Sequence, residues 1–103
     1  MSDGAKGYLW AELAVIDPAK FEDEYSAFVR PILERFGAKF LIVDDSPAVM
    51  EGGREVGRVV LVEFDRPAIA KAFYDCPEYQ AIIAARNRWS RGHVYLAEGT
   101  ASD

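Results

Sequence analysis

From Tyr8 to Ile16 the side chains alternate, with Leu9, Ala11, Leu13 and Val15 on one side and Tyr8, Trp10, Glu12, Ala14 and Ile16 on the other. A period of two with bulk on both sides predicts a β-strand that is covered on both faces. Asp17 then offers an N-cap oxygen, and Pro18 takes the first helical position, where its missing N–H costs nothing; Ile16 can staple onto Phe21. From Phe21 to Phe36 the apolar residues recur every three or four positions, which puts them on one face of a helix. Glu22, Asp23 and Glu24 fall in its positive first turn, Arg30 and Arg35 lie toward its negative end, and Gly37 suits the left-handed position that ends it. Pro31 interrupts this pattern and predicts a kink or break at that point.

Lys39 to Asp44 predicts a second strand and Arg58 to Phe64 a third, joined by a turn-rich stretch with a short extra strand expected at Val49-Met50. Asp65 is expected to cap the next helix, whose pattern runs through Tyr74 and restarts at Cys76-Pro77. Tyr79, Ile82, Ile83 and Arg86 continue one face toward Trp89. Gly92 is expected to end that helix, and His93 to Glu98 alternates as a last strand. The order βαββαβ predicts an α+β, ferredoxin-like fold with a four-stranded antiparallel sheet, one domain over residues 1–103 with an ordered core of about 7–99.

In such a domain both helices cover one sheet face. With Leu9, Leu13, Val15, Val60, Val62, Val94 and Leu96 turned toward them, the opposite face carries Tyr8, Trp10, Ile16, Phe40, Ile42, Leu61 and Tyr95. A monomer rarely exposes so continuous an apolar surface, so a cover is expected, and a twofold homodimer closing a dimeric α/β barrel is the simplest.

Size supports this expectation, because a chain of 103 residues buries only about 60 to 65% of its unfolded surface alone. The net charge of −5, with both signs mixed along the chain, offers no basic face for nucleic acid. No apolar run approaches a membrane span, and the first residues lack a secretory pattern. One cysteine, Cys76, permits neither an internal disulfide nor a multi-thiolate zinc site. A cytoplasmic protein is expected.

Several short motifs, in order, resemble the domain-of-unknown-function-1330 family of the dimeric α/β-barrel superfamily. They are Gly7-Tyr8, Asp17-Pro18, Tyr25, Gly37, Phe40-Leu41, Glu51-Gly52, Glu63-Phe64, Ala70-Lys71-Ala72 with Tyr74, Pro77-Glu78-Tyr79-Gln80-Ala81, Arg86 and Glu98-Gly99. The resemblance spans nearly the whole chain and implies the fold and the dimer rather than an activity. Its wider relatives include cofactor-free monooxygenases, haem-degrading enzymes and lactone isomerases, among which fold alone does not choose. Asp44-Asp45, Cys76, Trp89 and Tyr95 depart from the family pattern.

Candidate chemistry centres on the face away from the helices. Glu12 and Glu63 fall there, and with the first and third strands taken as parallel neighbours they are expected to lie close together. One of two such carboxylates would then be driven toward the protonated form and serve as a general acid or base; the bland alternative pairs each with an arginine or with water. His93 shares that face with Tyr95 and is a candidate proton carrier or haem ligand, although a single histidine more often sits solvated at a strand end. Arg86 and Asn87 are candidate binders of a substrate carboxylate or enolate, and Tyr8, Trp10 and Tyr95 could stack on a planar ligand or simply pack an interface. Cys76, before Pro77, is a weak nucleophile candidate. No metal site and no cofactor are predicted.

Two functions compete. One is a barrel that binds a small organic ligand in a sheet-lined cavity without catalysis. The other is a cofactor-independent acid–base enzyme, monooxygenase- or isomerase-like, acting on a small aromatic or lactone substrate.

Overall fold

The first strand, β1 (Gly7–Val15), becomes a central strand of the sheet because its side chains bury on alternate positions, as Leu9, Ala11 and Leu13 do against the helices. The computed structural model describes residues 4–100. After β1 come α1 (Pro18–Phe21), a π-helical turn (Glu22–Ser26) and α2 (Ala27–Arg35), then β2 (Lys39–Asp44), β3 (Arg58–Phe64), α3 (Pro67–Asp75), α4 (Pro77–Trp89) and β4 (Ser90–Glu98). The sheet order is β2-β3-β1-β4 and every neighbouring pair is antiparallel. This is the expected α+β, ferredoxin-like arrangement. Among the described residues no helix is long and apolar enough to cross a membrane.

The local signals around the first helix act largely as expected. Asp17 caps α1, its Oδ1 accepting from Lys20 N at 3.1 Å. After α2, Gly37 adopts φ +70°, and the amides of Ala38 and Gly37 return to the carbonyls of Leu33 and Glu34 at 3.1 and 3.0 Å, closing a Schellman motif. The irregularity assigned to Pro31 appears earlier. Pro31 sits inside α2, while the helix widens into the π turn that ends at Ala27, the residue whose carbonyl the Pro31 ring crowds. The helical run is nevertheless continuous from Pro18 to Arg35.

Four other expectations are corrected. Val49-Met50 forms no strand, and Met50 is 86% exposed in the long connection between β2 and β3. The N-cap of α3 is Arg66 rather than Asp65, because Pro67 takes the first helical position and fixes the boundary there. Gly92 does not end α4 but lies inside β4, where a Cβ would fall 1.9 Å from the Glu12 carbonyl oxygen, so it is the close approach of β1 that demands glycine. Phe40 does not share a face with Ile42. Phe40 pairs with Val62 and Ile42 with Leu61, so Leu41 is the extra residue of a bulge and Phe40 turns to the helix side.

The core lies between the sheet and the helices and is built on aromatic rings. Phe64 and Tyr79 are 0% and 1% exposed, and Phe73 stands between them with ring centroids 5.6 Å from Phe64 and 4.6 Å from Tyr79. The other sheet face carries Tyr8, Trp10, Leu61, Ile42 and Tyr95, the last 51% exposed.

Candidate functional site

Between the helices and the sheet lies a cavity of about 160 Å³. Leu9, Ala11, Val62 and Val94 form its sheet wall, and Phe21, Val29, Phe73 and Tyr79 form much of its helical wall. Phe40 and Val43 reach its edge from β2. They do so because of the bulge at Leu41, which puts both on the helix side.

Its polar groups come from the π-helical turn, α2, α4 and β3. The Tyr25 and Tyr79 hydroxyls lie 2.9 Å apart, and Arg86 Nη1 donates to Tyr79 Oη at 2.9 Å. Arg86 Nη2 donates to Asn87 Oδ1 at 3.3 Å. Burial, with the adjacent Tyr79 hydroxyl, pushes the Tyr25 phenol well above the ordinary tyrosine range, and Arg86 offsets this only in part. Burial works against the Arg86 cation, yet the surrounding tyrosine oxygens outweigh it and hold the guanidinium above its ordinary range. Arg30 and Arg58 also line the cavity; Arg30 grips both oxygens of Glu22 at 2.8 and 2.9 Å, and Arg58 Nε donates to Asp45 while its guanidinium lies 5.7 Å from the Phe21 ring centroid.

The sheet therefore divides the residues expected at one site. Arg86 reaches the cavity, with Asn87 as its exposed neighbour, whereas Tyr8, Trp10, Glu12, Glu63, His93 and Tyr95 belong to the opposite sheet face. The expected proximity of Glu12 and Glu63 fails for a topological reason. β1 and β3 run antiparallel, Glu63 stands opposite Tyr8 and Glu12 opposite Val59, so the two are separated by four positions, or about 13 Å along the strands.

Each carboxylate instead has partners of its own. Tyr8 Oη donates to Glu63 Oε2 at 2.9 Å, a bond that raises the Tyr8 phenol above its ordinary value. Trp10 Nε1 donates to Glu12 Oε2 at 2.9 Å and Arg54 binds the other oxygen. His93 stands opposite Glu12 and stacks on Tyr95 with ring centroids 6.4 Å apart. Cys76 is half-buried at the N-cap of α4, where its carbonyl accepts from Gln80 N at 3.0 Å. Among the described residues no group of three or more His, Cys, Asp or Glu gathers in metal-binding geometry.

Tyr25 and Tyr79 are the site residues that sequence reasoning passed over. Both sit in helical apolar patterns and read as core; the signal available was that each is a tyrosine where phenylalanine would pack as well, and a buried hydroxyl needs a partner.

Comparison with known proteins agrees with this fold. The family described as "Domain of unknown function (DUF1330)" matches residues 6–100. No curated protein matches the chain. Among solved structures it is similar to RPA0582, a protein of unknown function from Rhodopseudomonas palustris, with a TM-score of 0.75 and 14% identity over 97% of this chain and 85% of that one. A dimeric ferredoxin-like protein of unknown function from Thermobifida fusca gives a TM-score of 0.57 and 15% identity over 96% and 92% of the two chains. SnoaB, a cofactor-independent oxygenase from Streptomyces nogalater, gives 0.57 and 13% over 96% and 93%.

Proposed function

The chain belongs to the DUF1330 family, and from that premise we propose that it is a homodimeric α/β barrel whose two cavities each bind a small organic molecule. The observation that carries this reading is the cavity itself. It lies within the core of a small domain, has apolar walls, and carries a few polar groups that converge from α4 and the first helical segment. Arg86 and Tyr79 fix the orientation of the ligand; Asn87 steadies Arg86.

The dimer rests on the opposite face. Tyr95 and Ile42 are 51% and 40% exposed beside Trp10 and Leu61, an apolar surface that a second sheet would cover, and the similar protein from Thermobifida fusca is a dimer. Tyr8, Trp10 and Tyr95 are thus interface residues in this reading, and Glu12, Glu63 and His93 supply polar contacts around them. The acid–base enzyme built on a Glu12–Glu63 pair has no support from this geometry, because the pair does not form.

Calorimetric titration with small aromatic ligands tests the binding function. Saturable binding with one site per chain is expected, and loss of that binding in a variant that fills the cavity, Ala11→Phe, with the fold retained. Saturable binding that survives the filled cavity would refute the reading.

A further inference from the structure

The cavity lining contains three arginines, Arg30, Arg58 and Arg86, and no aspartate or glutamate. Two of these cations are already matched, Arg30 by Glu22 and Arg58 by Asp45. Arg86 is not. Among the described residues its guanidinium meets only neutral oxygens, those of Tyr79 and Asn87, and no carboxylate stands within ion-pair distance. Burial works against this cation and only neutral oxygens offset it, so no carboxylate of the protein competes with an anionic ligand for it.

Counting protons gives a second, independent observation. Tyr25 and Tyr79 hold two hydroxyl protons, and the 2.9 Å bond between them uses one, whichever oxygen donates. Tyr79 Oη already accepts from Arg86, and neither hydroxyl has another acceptor among the described residues. One phenolic proton is left to donate, and both rings line the cavity. The wall thus offers a cation and a hydroxyl proton, with no acidic side chain to receive either.

We propose that Tyr25, Tyr79 and Arg86 form an oxyanion-binding cluster, and that the molecule bound is an organic anion whose carboxylate or enolate oxygen accepts from this cluster while its apolar body lies against Val62, Phe73 and Val94. This rests on the cavity being the ligand site. A carboxylate provides the missing counter-charge and accepts from guanidinium and phenol at once, and such charge-assisted bonds are about twice as strong as neutral ones. With its phenol pushed upward by burial, Tyr25 remains protonated at neutral pH, so the pair keeps a spare proton whichever oxygen donates within it.

Matched probes test it: 4-ethylbenzoate and 4-ethylbenzamide, titrated calorimetrically into the full chain at neutral pH. The benzoate is expected to bind more tightly by about tenfold or more, the value of one hydrogen bond to a charged partner. Arg86→Gln should abolish that preference. Replacing both tyrosines, Tyr25→Phe with Tyr79→Phe, keeps the rings and removes the spare proton that either single change would leave in place, so it tests the phenolic donor even if the arginine variant fails to fold; it should weaken the benzoate several-fold and the benzamide less. Equal binding of both probes, or a preference that survives in both variants, would overturn the anion assignment while leaving the cavity as a site. Binding of neither probe would overturn the cavity reading and this inference together.

Discussion

The Tyr79 hydroxyl receives a hydrogen bond from Arg86 Nη1 at 2.9 Å although the Tyr79 ring is 1% exposed and packs 4.6 Å from Phe73. One residue therefore belongs both to the core and to the polar edge of the cavity. Its ring supports the fold and its oxygen holds the guanidinium in place.

Tyr79→Phe separates these roles. The ring and its packing remain, but Arg86 loses its nearer acceptor and Tyr25 loses its only hydroxyl partner. Two polar groups left short of partners predict a loss of about 1–3 kcal/mol in urea unfolding, with an unchanged slope. A variant as stable as the parent would show that the hydroxyl network contributes nothing.

Alkaline stability should report on Tyr25. Burial first, and then Tyr79, holds its phenol above the ordinary range, so the folded chain keeps a proton that the unfolded chain releases. Its contribution is complete below the unfolded value of about 10 and is lost as pH rises through the folded value. Urea midpoints should fall as pH rises above about 10, and Tyr25→Phe should flatten much of that fall; parallel losses in both proteins would count against the assignment.

Gly92→Ala tests the close approach in β4. Its φ of +158° lies at the margin of the region that favours glycine, and the added Cβ would meet the Glu12 carbonyl at 1.9 Å. The strands must part, at a cost of at least about 2 kcal/mol. Gly37→Ala provides the contrast, with φ +70° but nothing within 4 Å of its Cβ, and should cost about 1 kcal/mol. Comparable losses in the two variants would show that crowding against β1 does not matter.

These residues also show what the sequence could and could not tell. Element order and the bounds of β2 and β3 were legible, because alternation, Asp17-Pro18 and Gly37 are local signals. Phe40 was misplaced because a bulge shifts the period by one without leaving a mark in the pattern, and Gly92 was misread because its partner, Glu12, lies eighty residues away. The site suffered most. Placing Glu12 and Glu63 correctly needed the strand direction, and finding the Tyr25–Tyr79–Arg86 cluster needed two helical segments brought together by packing.

The outer face makes its own prediction. Trp10 stands opposite Tyr95 and Leu61 in the centre of the sheet, so Trp10→Glu would place a charge in the middle of the proposed interface. Sedimentation velocity at micromolar concentration should show a dimer for the parent chain and a monomer for the variant. A parent chain that sediments as a monomer would remove the dimer.

The central claim is that the ligand lies between the helices and the sheet, on the side of Arg86. Amide chemical-shift mapping of the full chain during titration with 4-ethylbenzoate tests it most directly. The account predicts saturable shifts centred on Ala11, Val62, Val94 and Arg86, all lining the cavity. Shifts centred instead on Trp10, Glu63 and Tyr95, across the sheet, would contradict it.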